Sequence, residues 1–290
     1  MDIKTKNTSQ LMRARKILFS LALGSACFLA GCMQKNKPID LTVGSQIAPA
    51  DTLYAQAYAN FKGGNLKQAA KLFAKIPDQN PYSEWARKAL LMATYTNYQL
   101  GQYDDANNLG RRYINLYPRS DDTPYAFYLI GLASYKQIPD VSRDQTPAER
   151  TIVAMEAIVK YFPKSKYVAD AKEKIRFARE QLAGKEMHIG RYYEAQNQYL
   201  AALKRFQAVI RQYADTSQVQ EAMYRVVEAN YALGLMGEAQ RAAVVLSSKY
   251  PESIWSRNAH DLLAKGQLDR AKTKVTSVSK IFGGVQAAIH

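Results

Sequence analysis

From Asp51 to Ala264, small, apolar and turn-forming positions return in a fixed register. Gly64, Leu66, Ala69, Phe73 and Pro81 form one set, Gly101, Tyr103, Ala106 and Pro118 a second, and Gly234, Met236, Ala239 and Pro251 a third. Tyr199, Ala202 and Phe206 repeat the register with Ala214 in the proline's place, and a degenerate set has Thr151 at the alanine position and Pro163 at its end. In all five the two marker positions are twelve residues apart. Alanine lets two helices approach closely, while proline has no amide and blocks continuation of the preceding helix. Two residues past each terminator come Ser83, Ser120, Ser165, Thr216 and Ser253, whose hydroxyl oxygens suit the orphan amides of a helix start. The pattern therefore predicts helix, stop, start, helix, five times over. No stretch alternates with period two between hairpin turn pairs, so no sheet is predicted.

This punctuation resembles the tetratricopeptide unit, a helix pair, and predicts an all-α, right-handed solenoid of about five helix pairs over residues 51–264. The marker positions 69, 106, 151, 202 and 239 are 37, 45, 51 and 37 residues apart, against about 34 in the ideal repeat. The 45-residue interval holds Ile138 to Pro147, IPDVSRDQTP, two prolines among polar residues, which predicts a loop between the helices of the third unit. The 51-residue interval holds Lys172 to Gly190, mostly helix-favouring up to Gly184. A long helix and a kink are expected there, dividing an N-terminal half, 51–165, from a C-terminal half, 166–264. Residues 265–290 form a basic tail that either extends the last helix or is disordered.

Ahead of the repeats, Lys4, Lys6, Arg13, Arg15 and Lys16 precede an apolar run from Ile17 to Phe28. This is the layout of a secretory signal, residues 1–31, with charge and apolar length that disfavour an uncleaved helix. Leu29, Ala30, Gly31 and Cys32 resemble a lipoprotein lipobox, with cleavage expected between Gly31 and Cys32. The two cysteines are Cys27 and Cys32, so the processed chain has one thiol and no intrachain partner for it. The resemblance implies N-acyl (palmitate) and S-diacylglycerol groups on Cys32, three chains in all. One chain binds a membrane only marginally, whereas three give a stable anchor. Met33, rather than aspartate, follows the cysteine, which by the same analogy implies passage to the outer membrane. Residues 32–50, with prolines, glycine and no periodicity, are expected to be a flexible tether.

An apolar content of 47% is ordinary for a folded chain. The formal charge is +15, and removing five basic residues and one acid with the signal leaves about +11. An exported lipoprotein does not meet nucleic acid, so this excess either faces anionic lipid head groups or acidic partners, or is simply solvated. His188, His260 and His290 lie far apart without metal-ligand spacing. Gly63 and Gly64 suit an interhelical turn rather than a phosphate cradle. A lipid-blocked thiol leaves no cysteine nucleophile. No cofactor, no metal and no enzymatic activity are expected.

Several strings are more specific. DTPYAFYLIGLASY from Asp122, Arg143-Asp144-Gln145, the stretch from Ser165 to Ala171, the run from Leu182 to Tyr193, Arg205-Phe206 and EAMYRVVEANYALG from Glu221 together resemble the BamD family, the lipoproteins of the outer-membrane β-barrel assembly machinery. The likeness spans about Asp51 to Leu263. Ala214 and Asp215 depart from it, standing where a proline pair is usual. The resemblance implies a periplasmic scaffold on the outer membrane. Its partners would be the periplasmic repeats of the barrel-forming assembly protein, other assembly lipoproteins and unfolded outer-membrane proteins. Arg191, Tyr192, Tyr193 and Arg205 are the expected partner-binding residues. Arg205 has a local alternative, an ion pair with Glu194 or another nearby acid. Tyr54, Tyr58, Tyr95 and Tyr98 are candidates for a substrate groove, or else packing residues in interhelical seams. Two rival functions are a repeat lipoprotein coordinating cell-wall synthesis or envelope constriction, and an anchored muramidase. The latter is opposed by the roughly 26 residues left after Ala264, too few for a catalytic domain.

Overall fold

The computed structural model describes residues 48–266, so the signal segment, Cys32, most of the tether and nearly all of the basic tail lie outside the described residues. Within them the chain is helical throughout, without a strand. The helices are α1 (Ala50–Lys62), α2 (Leu66–Gln79), α3 (Glu84–Gln99), α4 (Tyr103–Leu116), α5 (Thr123–Tyr135), α6 (Thr146–Tyr161), α7 (Val168–Ala195), α8 (Tyr199–Gln212), α9 (Val219–Ala232) and α10 (Met236–Lys249). They make the five expected pairs. A further helical stretch, 254–266, follows Ser253 and lies beyond the five pairs. It packs Ala259 and Leu263 against Met223 and Val227 of α9 and Leu246 of α10, covering the last pair.

Each helix packs on the next, and the first members of successive pairs, α1, α3, α5 and α7, also touch one another. The core is accordingly a series of local clusters, each drawn mainly from one pair and the first helix of the next. Leu53, Ala57, Phe73, Ile76, Ala89 and Ala93 form one, and Met187, Ala202, Phe206, Val209 and Ala222 another. Nearest-neighbour packing of this kind is the logic of a solenoid. Ala69, Ala106, Ala202 and Ala239 are wholly buried, as their register requires. Thr151, in the same position, is also buried, and its hydroxyl donates to the Pro147 carbonyl at 2.8 Å, which removes the cost of burying it.

Two turn types alternate. Within pairs, Gly64, Gly101 and Gly234 take φ of 74–79°, the left-handed region where a side chain is strained. Asn197 takes φ 58° at the equivalent place before α8, a position the repeat sets omit because asparagine replaces the expected glycine. Between pairs, Asn80, Tyr117, Phe162, Tyr213 and Tyr250 end their helices with φ between −128° and −136° and ψ between 39° and 65°. In all five the hydroxyl residue three positions on donates its amide to that carbonyl. The expectation that these hydroxyls begin the next helix directly holds at Ser83, whose oxygen caps α3, and at Ser253, which immediately precedes helical 254–266. It needs correction elsewhere. Ser120 and Ser165 accept from the amides of Asp122 and Tyr167 in an extra turn, and α5 and α7 begin three residues later. Thr216 instead donates to the Tyr213 carbonyl.

The stretched intervals hold the expected loop and the expected long helix, but no break in that helix marks the expected kink. The loop between α5 and α6 is tied by Gln145, which is buried and donates to the Asp140 carbonyl at 2.8 Å. Helix α7 has 28 residues and is unbroken through Gly184 and Gly190. Both glycines are there for contact: a Cβ on Gly184 would lie 3.0 Å from Val141 of the loop, and one on Gly190 would lie 2.4 Å from the Phe206 ring.

Candidate binding surfaces

The first helices of the pairs carry a run of aromatic rings across their seams. Trp85 of α3 lies 4.8 Å from Tyr54 of α1, which stacks at 6.4 Å on Tyr58, and Tyr58 in turn on Phe61. Phe61 meets Tyr95 of α3 at 5.8 Å, and Tyr95 meets Tyr125 of α5 at 6.5 Å. Tyr125 stacks at 5.5 Å on Tyr167, the residue before α7, and Tyr128 closes on the same ring at 4.6 Å. Of the four groove tyrosines expected, three lie in this ribbon. The fourth, Tyr98, pairs with Tyr103 of α4 instead. Trp85, Phe61, Tyr125, Tyr128 and Tyr167 were missed, although the aromatic density of YAFY at 125–128 was a usable signal.

Exposure grades along the ribbon. Tyr58 is 43% exposed, whereas burial raises the Tyr125 and Tyr128 hydroxyls well above the ordinary phenol range and keeps both neutral. Tyr128 donates to Asp170 at 2.8 Å. Burial opposes ionisation of Asp170, but hydrogen bonds from Lys174 and Tyr128 prevail and hold its carboxyl below the usual range. Past the ribbon a cleft of about 770 Å³ opens between two inter-pair turns, lined by Tyr125, Tyr161 and Tyr167 and by charges of both signs, Arg119, Lys164 and Lys166 with Asp121 and Asp122.

A second surface is built where α7 ends. Arg191 pairs with Glu221 at 2.9 Å, and Arg225 contacts Glu194, Glu221 and Glu228 at 3.2, 3.3 and 2.8 Å. Burial pushes the Tyr224 hydroxyl up to about 12, helped by its hydrogen bond to Glu228. Burial likewise raises the Glu194 carboxyl despite Arg225. Arg205 pairs with Glu186 of α7 at 3.2 Å, another nearby acid, while Glu194, about two turns further along α7, pairs with Arg225. Tyr193 packs on the α7–α8 core, while Tyr192, 61% exposed, presents its ring to solvent. Arg191 thus belongs to the Arg225 network and Arg205 to a separate pair with Glu186, while Tyr192, the most exposed of the four, sets its ring edge-on to that of Tyr193 at 5.9 Å.

The departure at Ala214 and Asp215 has a local compensation. Arg179 of α7 donates twice to Asp215, with contacts of 2.6–3.1 Å, and once to the Gln212 carbonyl. Its neighbour Glu180 accepts from the amide and hydroxyl of Ser217. The turn that lacks proline is clamped from α7 by side chains.

Among the described residues no helix is long and apolar enough to cross a membrane, and no three His, Cys, Asp or Glu side chains are grouped to hold a metal.

The family model described as "YfiO: Outer membrane lipoprotein" matches residues 47–246. Outer membrane protein assembly factor BamD of Caulobacter vibrioides is 38% identical over 254 residues, 88% of this chain and 83% of its own. The protein of the same name from Rickettsia prowazekii is 36% identical over 256 residues, 88% of this chain and 100% of its own. Among solved structures, the TPR2AB domain of yeast Sti1 in its pHSP90 complex covers 77% of this chain and 86% of its own at 15% identity and TM-score 0.36, a likeness too distant to carry any argument. A family match over more than half of the chain, and relatives this similar over most of both lengths, lead to one conclusion: the chain belongs to the BamD family of outer-membrane protein assembly factors.

Proposed function

We propose that the chain is cleaved after Gly31, acylated at Cys32 and held on the periplasmic face of the outer membrane, where its solenoid works as a non-enzymatic scaffold with two surfaces. The aromatic ribbon receives segments of unfolded outer-membrane proteins. The region of Arg191, Tyr192, Tyr193 and Arg205 docks the periplasmic repeats of the barrel-forming assembly protein, with other assembly lipoproteins completing the complex. The observation that carries this reading is the continuity of the ribbon, eight rings from Trp85 to Tyr128 with no step longer than 6.5 Å. Aromatic faces offer rigid contact area to apolar side chains while their hydroxyls hydrogen-bond a backbone, which suits extended segments of varied sequence.

Photo-crosslinking in cells tests the division of labour. A crosslinker at Tyr58 should capture newly exported outer-membrane proteins, and one at Tyr192 the barrel-forming subunit. Capture of that subunit alone from both positions would refute the two-surface reading. Arg205→Glu should weaken co-purification of the barrel-forming subunit; unchanged recovery at physiological salt would remove Arg205 from the interface. Cys32→Ser should shift the protein from the membrane fraction to the soluble one with its helices intact.

A further inference from the structure

Helix α2 has a face unlike that of any other helix described. Lys67, Lys71 and Lys75 recur every fourth residue, so they rise along one side of the helix, and all three are exposed. On the opposite side Ala69, Phe73 and Ile76 are buried. Some helix-surface cations elsewhere are neutralised by an acid one turn away, as Lys174 is by Asp170 and Arg241 by Glu238, and others, such as Lys204 and Arg211 of α8, are unpaired as well, but no other described helix lines up three unpaired ones on successive turns. Helix α2 contains one acid, Asp78, and it pairs with Arg112 of α4 at 2.8 Å. No ion pair involves the three lysines among the described residues. The turn that follows α2 carries Tyr82, which is fully exposed, and amphipathic rings of this kind favour the head-group level of a bilayer.

The position of α2 in the chain matters as much as its charge. Ala48, where the described residues begin, is only 16 positions after Cys32. Whatever its conformation, a stretch of that length cannot span more than about 55 Å. The first helix pair is therefore kept beside the lipid surface, and its one strongly cationic face lacks a protein partner. We infer that the Lys67–Lys71–Lys75 face of α2 lies against the anionic phospholipid head groups of the membrane and sets the orientation of the solenoid there. This rests on the proposed anchor at Cys32. The acyl chains supply the affinity, and they leave rotation about the tether free; a lysine stripe along one helix removes that freedom by choosing which side faces the bilayer.

The test removes the anchor so that the helix face is measured alone. The processed chain, residues 32–290 with Cys32→Ser, is mixed with vesicles of phosphatidylcholine, with or without an equimolar amount of phosphatidylglycerol, and recovered by flotation. Binding to the anionic vesicles should be clear at low salt and fall as salt is raised. Each lysine near such a surface is worth about a factor of five, so Lys67→Gln, Lys71→Gln and Lys75→Gln together should weaken binding about a hundredfold. Lys204→Gln, Arg211→Gln and Lys249→Gln remove the same charge from exposed positions on α8 and α10, and this control should bind like the parent. Helical circular dichroism of both triple variants excludes misfolding as the cause. Equal loss in the two variants, binding to neutral vesicles, or no binding at low salt would each overturn the inference. Failure of the anchor is read separately, from the mass of the amino-terminal peptide of membrane-extracted protein.

Discussion

Gly190 offers a substitution whose sign is set by tertiary structure alone. In a helix interior, glycine to alanine ordinarily stabilises by about 1 kcal/mol, because alanine loses less backbone entropy. At Gly190 the added Cβ would lie 2.4, 2.8 and 2.9 Å from three carbons of the Phe206 ring. Ordinary contact needs about 3.5 Å or more, so the ring would have to move about 1 Å. Phe206 has no exposed surface and is held by Ala183, Met187, Ala202, Val209 and Ala222, and overpacking of such a core costs about 1–3 kcal/mol. Gly190→Ala should therefore destabilise the α7–α8 junction by about 1–2 kcal/mol after the propensity gain is counted. Gly237 in α10 is the control, since its Cβ would meet nothing closer than the end of the Arg241 side chain at 3.7 Å, and alanine there should be neutral or stabilising. Solenoids need not unfold in one step, so the readout is amide hydrogen exchange resolved by helix, with urea unfolding beside it. Protection should fall in α7 and α8 for Gly190→Ala and remain elsewhere. Adding Phe206→Leu should cost less in the Gly190→Ala background than in the parent, by about 1 kcal/mol or more of coupling. A Gly190→Ala protein more stable than the parent, with no coupling to Phe206, would refute the reasoning.

Other consequences are simpler to check. Tyr213 already has the backbone conformation of the residues preceding proline at the other four inter-pair turns, so Ala214→Pro should stabilise by about 0.4–1 kcal/mol in thermal unfolding by restricting the unfolded chain. The hydrogen bond from Arg179 is the main force holding the Asp215 carboxyl below its usual range. Its contribution is whole above the unfolded value of about 3.9 and is lost as pH falls through the lower folded one. Asp215→Asn should thus cost about 1 kcal/mol at most at neutral pH, because the pair is partly exposed, and nothing under more acidic conditions than the folded value; an equal cost at both pH values would exclude ionisation as the cause. Asn197→Val should lose about 1–2 kcal/mol, because a β-branched residue resists the left-handed region, while Asn197→Gly should be neutral in the same denaturation assay.

The sequence by itself determined the repeat. Wholly buried Ala69, Ala106, Ala202 and Ala239, positive φ at Gly64, Gly101 and Gly234, the loop after α5 and the length of α7 were all legible, because each depends on the conformational preferences or size of residues within one unit. Family membership was legible for the same reason, in strings that lie along the chain. Tertiary structure decided everything that needed residues from different helices. Glu186 rather than Glu194 faces Arg205, and Asp215, a departure from the family pattern, supplies what the missing proline does not by meeting Arg179 across 36 positions. The ribbon joins Tyr54 to Trp85 and Tyr125 to Tyr167, while Tyr98 turns to Tyr103. Gly190 is the socket for Phe206, a ring from the next helix. Helical periodicity says which residues share a face, but the crossing of one helix on another decides which faces meet. That crossing is set by the summed packing of both surfaces, and no single stretch of the chain contains it.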